Sequence, residues 1–287
     1  MIRKFLDFVK FEHSIFALPF VYSGAVLAAG SINPEFILNF ILITIAAVTA
    51  RSSAMALNRI IDSNIDALNP RTKNRHIPAG KIGPLDAKIF TIISGSIFFL
   101  SAYLLNPLCF FLAPIPLVMF VIYPYLKRYT ALTHLFLGAC LGIAPLGGFL
   151  AITGNFDMNA LIEPALISFF VMFWTAGFDI IYAIQDVKFD RSHNLHSIPA
   201  KFGVPNALKI SFAFHLAAAL FLIILYIIYP FSYIFLSGIL IIILLLFYEH
   251  KLISNFDAVK IQKAFFNVNA VVSTLFFIFL AYEVLIM

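Results

Sequence analysis

The chain has 287 residues, of which 62% are hydrophobic and only 11% are Asp, Glu, Lys or Arg, and its mean hydropathy is +0.99. So little charge does not cover the surface of a water-soluble domain of this length, which excludes that class. The net charge of +5 lies in patterned loops and needs no nucleic-acid partner, while Cys109 and Cys140 lie in apolar stretches without CxxC spacing, which argues against a disulfide framework or a zinc site.

In chain order, the opening MIRKFLDFVKFEH reads as a short amphipathic lead-in helix, and no small-residue cleavage site of a signal peptide stands out after it. Stretches without Asp, Glu, Lys or Arg then span 13–34, 89–126, 129–156, 210–248 and 264–282. A bilayer crossing takes about 20 apolar residues. The stretches 89–126 and 210–248 are therefore two crossings each, turning near Asn106-Pro107 and Tyr229-Pro230. Two more crossings carry charge inside them: roughly 36–57, with Arg51, and roughly 161–183, with Asp179. The predicted fold class is all-α, a polytopic membrane protein with about nine transmembrane helices. A membrane barrel would instead show alternating polar and apolar positions.

Lys and Arg are segregated. Apart from Arg51 they lie on the amino-terminal arm or in and near the loops 58–88, 127–128, 188–209 and 251–263, whereas the loops near 31–35, 106–107, 154–163 and 229–232 have none. The positive-inside rule then predicts a cytoplasmic amino terminus, cytoplasmic basic loops and an external carboxy terminus.

Two polar stretches interrupt the apolar pattern: NRIIDSNIDALNPRTKNRHIPAG at 58–80 and FDIIYAIQDVKFDRSHNLHSIPAKFG at 178–203. Both follow a long apolar helix, carry a DxxxD pair (Asp62 and Asp66; Asp186 and Asp190), continue with basic residues and reach Ile-Pro-Ala at 77–79 and 198–200. This suggests one domain over 1–287 made of two related helical units, about 13–126 and 129–248, with a final helix at 264–286. Helical steps of four and seven residues share a face. Arg51, Asn58, Asp62 and Asp66 are expected on one stripe, and Asp179, Asp186 and Asp190 on another.

Carboxylates facing each other across a polar pocket stay ionised only with cations between them. Mg²⁺ takes oxygen ligands, often one or two carboxylates plus substrate phosphates. Two acidic stripes with Lys127, Arg128, Arg71, Lys73 and Arg75 near them describe a site for a polyphosphate held through Mg²⁺. A single DxxxD at a helix end is more often solvated surface charge, but two copies on one face argue for function. Asp179 and Arg51 lie deeper, where ionisable groups are costly and tend to be functional, although Arg51 also has a snorkelling reading. His193 and His196 read as incidental loop residues, and His134 and His215 as helix-face residues satisfied by neighbours. The competing class is a transporter of anionic metabolites, which also uses repeats and intramembrane charge. The confinement of charge to one face speaks against it.

On N58-R-I-I-D62-S-N-I-D66, Y123-P-Y-L-K127-R128-Y-T and F178-D179-I-I-Y-A-I-Q-D186-V-K-F-D190, the chain resembles the UbiA superfamily of intramembrane aromatic prenyltransferases over nearly its whole length. KFEHSIFALPF at 10–20 and LHSIPAKFG at 195–203 resemble its 4-hydroxybenzoate polyprenyltransferase-like subgroup. Proteins of that kind occur in bacteria that make menaquinone by the futalosine route, where the acceptor is a dihydroxynaphthoate. The resemblance implies nine helices around a central cavity capped by cytosolic motif loops, in a bacterial inner membrane. It implies transfer of a polyprenyl chain from its diphosphate to a ring carbon of an aromatic acid, in ubiquinone or menaquinone biosynthesis. By the same resemblance, Asp62, Asp66, Asp186 and Asp190, with Asn58, hold the diphosphate through Mg²⁺, and Lys127, Arg128, Arg71 and Arg75 contact phosphate. Asp179 completes the metal site or helps remove a proton, and Arg51 receives an acidic acceptor. Gln185 departs from the residue that several relatives carry before the Asp.

Overall fold

A computed structural model of the protein describes residues 2–253 and 264–287. Among the described residues the regular structure is helical, and nine helices are long and apolar enough to cross a membrane. They are α1 (Phe11–Ala29, opening with a 3₁₀ turn), α2 (Pro34–Ile61), α3 (Pro84–Leu105), α4 (Pro107–Leu126), α5 (Thr133–Thr153), α6 (Ile162–Ser192), α7 (Val204–Ile228), α8 (Tyr233–Leu252) and α9 (Phe266–Ile286). Large apolar side chains point outward along them, with Ile92, Phe111 and Ile227 at 68%, 75% and 74% exposure. An apolar exterior of that extent suits lipid and not water, so the chain is a multi-pass membrane protein. Most of the expected basic loop 251–263 lies outside the described residues.

Local chemistry explains where the helices begin. The Asn33 side chain accepts the Phe36 N–H ahead of Pro34, and Asn106 accepts the Cys109 N–H ahead of Pro107, each at 2.8 Å. Both are N-caps followed by proline at the first helical position. Asn106 thus divides 89–126 into two crossings, as its sequence predicts. The lead-in segment forms a helix at Ile2–Phe8 and turns into α1 through Lys10, whose φ is +50°. Phe8 and Val9 are buried there against Ala56, Ile82 and Ala87 at the base of α2 and α3.

Each helix packs on the next in chain order, and α9 returns to α1, closing a ring. α1 also packs along α5 and brings it inward. That contact is backbone on backbone: a Cβ at Gly24 would meet the Pro145 carbonyl oxygen at 1.9 Å, and one at Gly148 would meet that of Val21 at 1.9 Å. Side chains larger than hydrogen would force the two helices apart. The largest core cluster joins α1, α6, α7, α8 and α9 through Phe20, Phe170, Trp174, Leu222, Phe235 and Phe276. The chain reversals after α2, α4 and α6 come together at one end of the ring.

Candidate active site

The first polar stretch starts inside α2. The helix ends at Ile61, and Asp62, with φ −91° and ψ 3°, turns the chain into a six-residue helix, Ser63–Leu68. The Asp62 N–H still bonds the Asn58 carbonyl at 2.9 Å, and the Asp66 N–H bonds that of Asp62 at 2.8 Å. Asn58, Asp62 and Asp66 therefore keep their four-residue steps across the break, and the Asn58 amide donates to Asp62 Oδ2 at 3.3 Å. α2 runs further than the expected 36–57, so Arg51 lies ten residues before its end. Its guanidinium donates to the Val9 carbonyl at 3.1 Å. It pairs with neither Asp62 nor Asp179; Glu12 and His13 are the ionisable groups beside it.

The second stretch departs from expectation. α6 is α-helical to Ala183, tightens to 3₁₀ over Ile184–Asp186, and resumes at Val187–Ser192. Three residues per turn in place of 3.6 rotate every later side chain about the helix axis. Asp179, Asp186 and Asp190 take different hydrogen-bond partners, while Asp186, Lys127 and His134 are the ionisable groups that act on Asp190. Asp179 accepts from His134 Nδ1 at 2.7 Å, Asp186 turns toward the first stretch, and Asp190 accepts from Ser197 Oγ at 2.7 Å. His134 is more than a satisfied helix-face residue. The Ile198 N–H donates to its Nε2 at 3.3 Å, so the ring proton sits on Nδ1 and is given to Asp179.

The cations expected between the carboxylates include the chain's own. Lys127 Nζ donates to Asp62 Oδ2 at 2.7 Å, and Arg128 donates to the Ile61 carbonyl at 3.0 Å and to Asp62 Oδ1 at 3.5 Å. Arg75 Nη1 lies 2.7 Å from both oxygens of Asp66. Arg71 crosses to the second stretch: its Nε donates to Asp186 Oδ1 at 2.8 Å, a second nitrogen meets Oδ2, and Nη1 reaches the Tyr182 hydroxyl at 2.9 Å. Burial works against the charge on Arg71, but the hydrogen bonds it donates to Asp186 outweigh this and hold its pKa above the ordinary value. Asp62 and Asp66 are buried, at 2% and 4% exposure. Removing Arg75 leaves the buried Asp66 carboxylate without an ion-pair partner among the described residues, which costs about 3–5 kcal/mol, whereas Asp62 has both Lys127 and Arg128.

The structure thus brings Asp62, Asp66, Asp186, Lys127, Arg128, Arg71 and Arg75 into one charged network. Asp179 and Asp190 have neighbouring polar partners, and Arg51 is held apart by the lead-in arm. Sequence reasoning passed over Asn69, whose amide donates to Asp186 Oδ1 at 3.0 Å while its Oδ1 accepts the Arg71 N–H at 2.9 Å. It also passed over Tyr182, Ser197 and the buried Arg59. Asn69 and Ser197 carry no spacing signal, whereas Arg59 and Tyr182 lie inside the quoted motifs and were available to be read. Among the described residues no three His, Cys, Asp or Glu side chains form a ready cage for a metal. The donor set nevertheless suits Mg²⁺, which accepts one or two carboxylates and completes its shell with water and phosphate oxygen.

Known proteins bear on this geometry. The model of the UbiA prenyltransferase family matches residues 17–279. A 4-hydroxybenzoate octaprenyltransferase of Shewanella piezotolerans is 30% identical over 229 residues, covering 80% of this chain and 78% of its own. Among solved structures, a UbiA homologue from Aeropyrum pernix K1 is 34% identical with a TM-score of 0.83, covering 92% of this chain and 95% of its own. A UbiA homologue from Archaeoglobus fulgidus bound to GPP and Mg²⁺ shares the fold at 17% identity, with a TM-score of 0.73 over 99% of this chain and all of its own (100%). With the family model spanning the crossings and both acidic stretches, the chain belongs to the UbiA prenyltransferase family.

Proposed function

We propose that the chain transfers a polyprenyl group from polyprenyl diphosphate to a ring carbon of an aromatic acid, with Mg²⁺, at the cytoplasmic face of a bacterial inner membrane. The observation that carries this reading is the network that ties acidic residues of two distant stretches, Asp62 and Asp66 with Asp186, to Lys127, Arg71 and Arg75 at one end of the ring. A diphosphate competes with the carboxylates for those cations. Each cation it takes leaves a carboxylate free for Mg²⁺, with Asp62, Asp66, Asp186 and Asp190 as the holders. Bound there, Mg²⁺ would stabilise the leaving diphosphate. Lys127, Arg128, Arg71 and Arg75 orient the phosphate oxygens, and the apolar interior keeps water from the allylic carbon. Asp179, aimed by His134 and seven residues deeper along α6 than Asp186, is positioned to receive the ring proton.

An apolar groove between α1 and α9, lined by Phe11, Ile15, Leu18, Tyr22 and Phe277, suits the prenyl tail. The two related helical units are supported by the matching turns at Asp62 and Asp186, each the N-cap of a six-residue helix. The name of the Shewanella relative favours 4-hydroxybenzoate as acceptor in a ubiquinone route, and a dihydroxynaphthoate in a menaquinone route is the other candidate. Mass spectrometry of products from purified protein, given polyprenyl diphosphate and both acids side by side, decides between them. Absence of any prenylated acid would return the transporter reading.

Arg51 is assigned to the acceptor's carboxylate, since a guanidinium offers a forked pair of donors. Arg51→Ala is expected to raise the KM for the acid by at least about tenfold, as losing a partner for a buried carboxylate costs about 2–5 kcal/mol. The KM for the prenyl diphosphate should change far less, and a selective donor defect would overturn the assignment. For orientation, Ser192→Cys should react with an impermeant thiol reagent only from the cytoplasm, and Asn155→Cys only from outside.

A further inference from the structure

Arg59 follows the first motif asparagine and lies in the last turn of α2. It is 7% exposed, and its Nε has no hydrogen-bond partner. Among the described residues its guanidinium donates to no acceptor, and no carboxylate oxygen lies within 4.0 Å of it. The other arginines of the network are engaged: Arg71 by Asp186, Arg75 by Asp66 and Arg128 by the Ile61 carbonyl. The ionisable groups that act on Arg59 are Arg75, Asp66, Tyr182 and Arg71. It therefore sits among three guanidinium groups served by two carboxylates. A buried charge without a partner costs several kcal/mol, and stability alone gives no reason to retain one.

We propose that Arg59 is a seat for an oxyanion that works without metal, holding a phosphoryl oxygen of the diphosphate directly. This rests on the prenyltransferase reading for the identity of the anion. A carboxylate has the same chemistry toward a guanidinium. The choice of phosphoryl comes from the surroundings: a diphosphate carries enough charge to engage Arg59 together with Arg71 and Arg75, and a single carboxylate does not.

The test uses purified full-length protein in detergent with EDTA, and inorganic pyrophosphate as the probe, read by calorimetry and thermal shift. The wild type is expected to bind pyrophosphate in EDTA. Arg59→Met should weaken that binding roughly 10- to 100-fold, the size of a hydrogen-bonded charge, while its Tm without pyrophosphate equals or exceeds that of the wild type. Arg59→Lys should keep part of the affinity, and serves as the reading if the methionine variant is not recovered. A parallel titration with 4-hydroxybenzoate should be unchanged by either substitution. No pyrophosphate binding by the wild type in EDTA, unaltered binding by the variants, or a variant Tm well below wild type would each overturn the proposal. Loss of 4-hydroxybenzoate binding alone would overturn the phosphoryl assignment. If the protein makes no prenylated product yet Arg59 variants lose pyrophosphate, the seat stands and the prenyltransfer reading falls.

Discussion

The two acidic stretches begin alike and end differently. Asp62 (φ −91°, ψ 3°) and Asp186 (φ −101°, ψ 1°) have nearly the same backbone, and each starts a six-residue helix. After that turn the first stretch supplies its own cation, Arg75 on Asp66, and sends Arg71 and Asn69 across to Asp186. The second sends no cation back. Arg191 is spent on the Ala200 carbonyl, and Asp190 has a hydroxyl where Asp66 has a guanidinium. Similar backbones thus carry unlike roles: one stretch holds acid and base together, and the other presents carboxylates that its neighbour neutralises. The partner of the second carboxylate, Arg75 or Ser197, is the simplest marker of this asymmetry.

The largest expected effect tests what the stretches share. Asp62→Ala and Asp186→Ala should each lower turnover by about 10²–10³, the size of a lost electrostatic contact where charge develops. Pyrophosphate release at saturating Mg²⁺ measures this, and near-normal turnover in either variant would remove that stretch from the site. A smaller effect tests the crossing. Double-mutant cycles on thermal stability should couple Arg71 with Asp186 by about 1–2 kcal/mol, inside the usual 0.5–3 range for contacting pairs and reduced by the 30% exposure of Arg71. Hydrogen exchange over 184–203 should quicken in Arg71→Ala and stay unchanged in Arg75→Ala. Equal quickening in both would mean that the second stretch does not depend on the first.

Much of this was legible in the chain. Charge-free length set seven of the nine crossings and apolar length the two that carry charge, and Asn106-Pro107 marked a break because an N-cap followed by proline starts a new helix. The DxxxD pairs pointed to the two polar stretches because i and i+4 side chains meet on a helix. The separate partners of Asp179, Asp186 and Asp190 were not legible, because the 3₁₀ turn at Ile184–Asp186 has no signature in composition or period. The pairing of Arg71 with Asp186 could not be read either: it joins residues 115 positions apart and depends on how the ring closes. Arg59 stands in plain view between Asn58 and Asp62, yet nothing in its spacing singles it out, since burial without a partner is a fact of packing.

The smallest expected effect bears on the hydroxyl that stands where the first stretch has a guanidinium. Ser197 Oγ donates to Asp190 at 2.7 Å and also accepts the Ala200 N–H at 3.3 Å, as N-cap of the helix Ile198–Phe202. Ser197→Ala removes a neutral hydrogen bond and a cap, each of which contributes about 1 kcal/mol. Stability should fall by about that amount up to twice it. Asp190 loses a donor but no charge partner, so its carboxylate stays available to a metal. Turnover at saturating Mg²⁺ should therefore stay within about threefold of wild type. Arg75→Ala is the contrasting case: it strips the only ion-pair partner that Asp66, 4% exposed, has among the described residues, and should cost more in both stability and turnover. Melting curves and pyrophosphate release on the two variants give the comparison directly. If Ser197→Ala proved as damaging to turnover as Arg75→Ala, the hydroxyl and the guanidinium would be doing the same job, and the asymmetry between the stretches would be one of residue type alone.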